Sequence, residues 1–258
     1  MAEGRRLSGW KGFASTAWVA VILGACAGPV DAPSAIARVA VSPSLEGAAA
    51  DRLRAYTQAE GVPSFDLEPW LEEAAAEAVE SGELSLIISG REPPPGWFAT
   101  PLWTEGIAVV VNSDNPRRAA TLSELAAMFA GTLHDWEDLQ GDPGPVTVVI
   151  PFPGDSLRTR FESLVLDGAR ITPAAALALS ATDVVAQVEA DPGAIGILAL
   201  SQVPESVRLV RVDGVLPSQS TVDDGRYPLS LAVLAAAPAE PDGSLRDWLS
   251  WIQGAAVP

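Results

Sequence analysis

Short runs of β-branched and small apolar residues recur along this chain, and most are followed by a stretch whose apolar residues return at helical spacing. Residues 36–42 (IARVAVS), 84–89 (LSLIIS), 107–112 (IAVVVN), 146–150 (VTVVI), 195–200, 207–212 and 229–236 read as strands. Several are too continuously apolar to leave a face in water. Between them, residues 44–59 set Leu45, Ala49, Leu53 and Tyr56 on one helical face, behind a Ser44 able to cap the first turn. Residues 70–80, 121–130, 156–166, 172–179, 182–190 and 244–253 read as further helices. Strands separated by helices bury both faces when the helices cover a sheet from either side. The expected class is therefore α/β, with mixed, mostly parallel sheets and flanking helices.

Composition narrows the function. At 258 residues and 48% hydrophobic, the chain forms one or two domains and can bury a sizeable core. A formal net charge of −17 excludes nucleic acid as a partner, because the phosphate backbone repels it. One Cys and one His exclude a disulfide framework and a Cys-rich metal site, and no metal or cofactor is expected. The acids around His134 (Asp135, Glu137, Asp138) could suggest a metal, and Trp248 and Trp251 on the last helix read as packing.

The first 26 residues read as an address. Arg5, Arg6 and Lys11 precede an uncharged apolar run over residues 13–25, too short to span a bilayer. The run ends Leu23-Gly24-Ala25-Cys26, which resembles the lipobox of bacterial lipoproteins. It implies cleavage of a signal peptide, residues 1–25, and lipidation of the Cys26 thiol, which anchors the protein to the bilayer outside the cytoplasm. Residues 26–35 then read as a tether rich in small residues and Pro. No later segment has 18 uncharged apolar residues.

Four stretches occur in a telling order. The first is Gly106-Ile107-Ala108-Val109-Val110-Val111-Asn112, with Asn115-Pro116, Leu122-Ser123-Glu124-Leu125, Met128-Phe129-Ala130-Gly131 and Trp136. The second is Gly154, Arg158 and Phe161-Glu162. The third is Asp191-Pro192-Gly193-Ala194-Ile195-Gly196-Ile197. The fourth is Val212-Asp213-Gly214-Val215, Pro217-Ser218 and Gly225-Arg226-Tyr227-Pro228-Leu229. Together they resemble the substrate-binding proteins of phosphate-type ABC transporters over about residues 36–253. The resemblance implies a two-lobed periplasmic-binding-protein fold of type II, with ligand held between the lobes. Lobe 1 would comprise residues 36–106 and 213–258, and lobe 2 residues 112–205. The hinge would lie at 107–111 and 206–212. It also implies an ABC permease as partner, a monomer and no enzymatic activity.

The candidate ligand residues lie where strands end and helices begin. Gly154, Asp155, Ser156 and Arg158 follow a strand and open a helix, where free backbone N–H groups suit an anion. The resembled family holds phosphate with a Gly-Ser-Gly-Thr turn at this place. Here Asp155 and Leu157 replace hydroxyl donors, and Pro151 stands where phosphate binders often carry Arg. Ser42, Ser44 and Leu45 end the first strand, and Ser89 and Arg91 end the third, with Arg91 a candidate anion clamp. The stretch 62–68 lacks the family's Gly/Ser-rich sequence. Because Asp155 repels an ionised anion, the expected ligand is a protonated oxyanion such as hydrogen phosphate, or a neutral or mixed-charge solute. The alternative is a binding-fold lipoprotein that has lost transport and acts as a sensor or interaction module.

Overall fold

The computed structural model describes residues 36–61, 65–139, 141 and 144–254. The leader, Cys26 and the tether at 26–35 lie outside the described residues.

Val39, Ala40 and Val41 have no solvent exposure, because their strand is covered on both faces. In β1 (Ala37–Val41), Val39 and Val41 point into a cluster with Leu45, Ala49 and Tyr56, from the turn at Pro43–Leu45 and from α1 (Glu46–Glu60). Ala40 points the other way, onto Ala75, Ala78 and Val79 of α2 (Glu72–Glu80). This two-sided burial is what the unbroken apolar runs require. β2 (Phe65–Pro69) and β3 (Leu86–Ser89) pair parallel with β1 on either side.

β4 (Phe98–Asn112) is 15 residues long and carries the sheet from one half to the other. Residues 98–106 pair antiparallel with β11 (Ser230–Ala237), which in turn pairs with β3. Residues 107–111 pair antiparallel with β8 (Ala194–Ala199). The second half continues through β6 (Thr147–Pro151) to β7 (Ala176–Ala178), both pairings parallel. The strand order is β2-β1-β3-β11-β4-β8-β6-β7, with β9 (Val207–Leu209) also on β4. At the junction, a Cβ on Gly106 would sit 2.9 Å from Val222 and 3.0 Å from Leu200, so a larger residue there would push these side chains aside.

The remaining strands and α-helices are β5 (Ala119–Ala120), α3 (Leu122–Phe129), α4 (Ser156–Phe161, continued by a π-helical turn over Glu162–Leu166), α5 (Ala181–Ala190), β10 (Arg211–Val212), α6 (Gln219–Asp223) and α7 (Gly243–Gly254). The chain is a mixed α/β fold, parallel at both ends of its sheet and antiparallel around β4. The helix expected at 172–179 is absent. Thr172 and Pro173 make a turn and Ala176–Ala178 extend along the edge of β6, leaving Leu177 and Leu179 exposed. A helix of eight residues is marginal by itself, whereas the open strand edge offers these residues backbone hydrogen bonds. β2, α6 and the first half of β4 were not legible from periodicity; β4 is broken by Pro101 and polar residues before Gly106.

Candidate ligand-binding site

The carboxyl ends of β1, β3 and β6 open onto one spot, where ligands of open α/β sheets sit. After β6, Gly154 turns the chain with φ 87°, and Asp155 takes the extended N-cap position of α4. Its carboxylate accepts from Leu157 N (2.9 Å) and Arg158 N (3.3 Å). Such caps are common. The same carboxylate also accepts from Ser42 Oγ (3.1 Å), Ser44 N (2.9 Å) and Ser44 Oγ (2.8 Å) at the end of β1. Five donors therefore converge on one oxyanion that is 1% exposed.

Ser156 ties the same segments together. Its amide donates to Ser42 Oγ (2.9 Å), and its hydroxyl accepts from Gly90 N (2.8 Å) and donates to Glu72. Glu72 N donates to Gly154 O (3.2 Å). Burial pushes the Glu72 carboxyl above its ordinary range; the Ser156 bond and Arg91 pull it back, and the charge of Asp155 adds to the rise. Glu72 escaped the sequence reading because nothing in its local pattern separates it from Glu73 beside it.

The other expected residues fall into place unevenly. Ser44 does not cap α1: its hydroxyl is engaged by Asp155, and no side chain caps that helix. Leu45 is fully buried in the core, and its amide closes a turn on Ser42 O (2.8 Å), so it offers nothing to a ligand. Ser89 Oγ accepts from Arg91 N (3.2 Å) and is buried at the end of β3. The Arg91 side chain is exposed and lines a groove of about 740 Å³ with Glu72, Glu77 and Trp97. Arg158 gives only its amide; its guanidinium reaches Glu162 (2.7 Å) and Pro151 O (3.0 Å). The site's charge is thus supplied by carboxylates, and its donors are hydroxyls and amides.

A cavity of about 320 Å³ adjoins Asp155, lined by Pro43, Ser44, Pro69, Leu71, Pro151, Phe152 and Leu179 among others. Among the described residues, no group of three or more His, Cys, Asp or Glu is placed to hold a metal. Asp135 is instead held by Glu137 N (2.9 Å) and Gly144 N (3.1 Å) in a turn.

Residues 29–255 match the PBP superfamily domain. The chain belongs to the PBP superfamily. Within it, the chain is 30% identical over 150 residues to the phosphate-binding protein PstS of Bacillus subtilis, strain 168. That alignment takes in 57% of this chain and 49% of the Bacillus protein, about half of its length. The fold is similar to a structure described as a phosphate ABC transporter substrate-binding protein with bound phosphate from Clostridium perfringens. The TM-score is 0.77 at 21% identity, over 84% of this chain and 92% of that one. An ABC-type phosphate transport receptor from Vibrio cholerae aligns with a TM-score of 0.68 at 18% identity, over 84% and 93%. Both share the mixed α/β architecture of the PBP superfamily.

Proposed function

We propose that this PBP-superfamily chain is the solute-binding protein of an ABC importer, holding a small oxyanion of the phosphate class between two closing lobes. One lobe is the β2-β1-β3-β11 half of the sheet and the other the β8-β6-β7 half, with β4 between them. The observation that carries this reading is the convergence of five donors, from the end of β1 and the start of α4, on a single oxyanion. Donor rings of amides and hydroxyls bind anions without needing a cation in contact. Likeness to the Bacillus protein supports phosphate as the ligand. Lobe closure and differential affinity suffice for such a carrier, so no catalytic step is assigned. The leader and Cys26 favour a lipid-anchored protein outside the cytoplasm, delivering ligand to a permease.

Isothermal titration with phosphate and sulfate tests this. Phosphate should bind one to one and sulfate should not. Absence of phosphate binding both in the native protein and after the double substitution Asp155→Ser with Leu157→Thr, which reinstates the two hydroxyl donors, would sink the reading. One observation favours the second reading, a binding-fold module that no longer transports: the donors are already engaged by Asp155. Binding restored only in the double variant, with no permease recovered alongside the native protein, would select it.

A further inference from the structure

The donor set around Asp155 is complete without a ligand. Both carboxylate oxygens are engaged, and the side chain is 1% exposed. A second anion placed beside it would face Asp155 and the buried Glu72 together. Arg158 is committed to Glu162 and Pro151, so its guanidinium does not offset that repulsion. Ser42 and Ser44 lie more than 110 positions from Asp155 in the chain, so these bonds join the two halves of the sheet. We propose that Asp155 is a built-in occupant of the oxyanion site: its carboxylate stands in for ligand and closes the cleft, and a free oxyanion enters only by displacing it. This rests on reading the Ser42, Ser44 and α4 donors as an oxyanion site.

The chemistry is a competition for one set of donors. A carboxylate fixed to the chain acts at a high local concentration, whereas a free anion loses translational freedom on binding. Apparent affinity then falls in proportion to the fraction of time the site is open. The choice of Asp at 155, in place of a hydroxyl, would thus set the ligand concentration at which the protein responds.

Amide hydrogen exchange in phosphate-free buffer tests the proposal on the native protein and on Asp155→Ser. Serine still caps α4 but is too short to fill the donors of Ser42 and Ser44. The informative amides are Glu72 and Gly90, which bond Gly154 O and Ser156 Oγ across the halves and make no bond to Asp155. They should be protected in the ligand-free native protein. They should exchange at least about tenfold faster in Asp155→Ser and recover on adding phosphate, and phosphate should bind the variant at least about tenfold more tightly than the native protein. Asp155→Asn should open the cleft likewise, since its amide turns a donor towards the Ser44 N–H. Equal exchange at Glu72 and Gly90 in all three proteins overturns the proposal, as does measurable phosphate binding of equal affinity in the native protein and Asp155→Ser. Opening of the variants without phosphate binding upholds Asp155 as occupant and removes phosphate from the proposed function.

Discussion

Asp155 and Glu72 are two buried carboxylates a few atoms apart, joined through Ser156, yet their surroundings differ. Five donors bond the Asp155 carboxylate; at Glu72 desolvation and the charge of Asp155 outweigh the Ser156 hydroxyl bond and the charge of Arg91, so its pKa is raised. A carboxyl whose pKa is raised by folding binds its proton in the native state before it does in the unfolded chain. Its contribution to stability is therefore fully present below the ordinary glutamate value of 4.5 and is lost as pH rises through the raised value. Between neutral pH and 4.5, the native protein should accordingly gain stability relative to Glu72→Gln as pH falls. Urea unfolding of both proteins across that range measures the difference, and a constant difference would show that Glu72 ionises as it does in water.

At the scale of elements, the last helix illustrates how far pattern alone reaches. Trp248 and Trp251 are three residues apart, which predicts one packed face, and α7 packs them in that way. Trp248 has no exposed surface and lies 5.0 Å from Phe65, ring centre to ring centre. Trp251 is partly buried and meets Tyr56 of α1 edge-on at 5.7 Å. Trp248→Ala should cost about 3–5 kcal/mol of unfolding free energy, the range for deleting a fully buried large aromatic. Trp251→Ala should cost clearly less, and chemical denaturation monitored by far-ultraviolet circular dichroism separates the two. The segment 172–179 shows the opposite case. Its alanines have high helix propensity, but the free edge of β6 offers Ala176–Ala178 a ladder of backbone hydrogen bonds that a helix this short cannot match.

For the whole molecule, the decisive feature is the return of the chain's end into its beginning. β11 is inserted between β3 and β4, and α7 packs against α1 and β4. A chain ending at residue 216 would leave β3 and β4 without their shared neighbour and remove Leu231, Val233, Ala235, Trp248 and Ile252 from the core. Such a truncation should show no cooperative thermal transition, whereas independent halves would leave the first or second melting on its own. In the same fold Ser44, at the end of β1, and Asp155, after β6, bond across 111 positions.

The sequence by itself determined the α/β class, because unbroken apolar runs such as 107–112 are stable only between two layers. It also placed a helix start at residues 154–156, where Asp155 caps the first turn through contacts two and three residues away along the chain. Only the tertiary structure decided what that carboxylate faces. The bonds from Ser42 and Ser44 span a sequence separation that no local pattern encodes, and they give a helix-capping side chain three further donors from the end of β1. The roles of Glu72, turned inward onto Ser156, and of Arg158, turned away to Glu162, were likewise set by packing, because side-chain direction depends on neighbours distant in the chain.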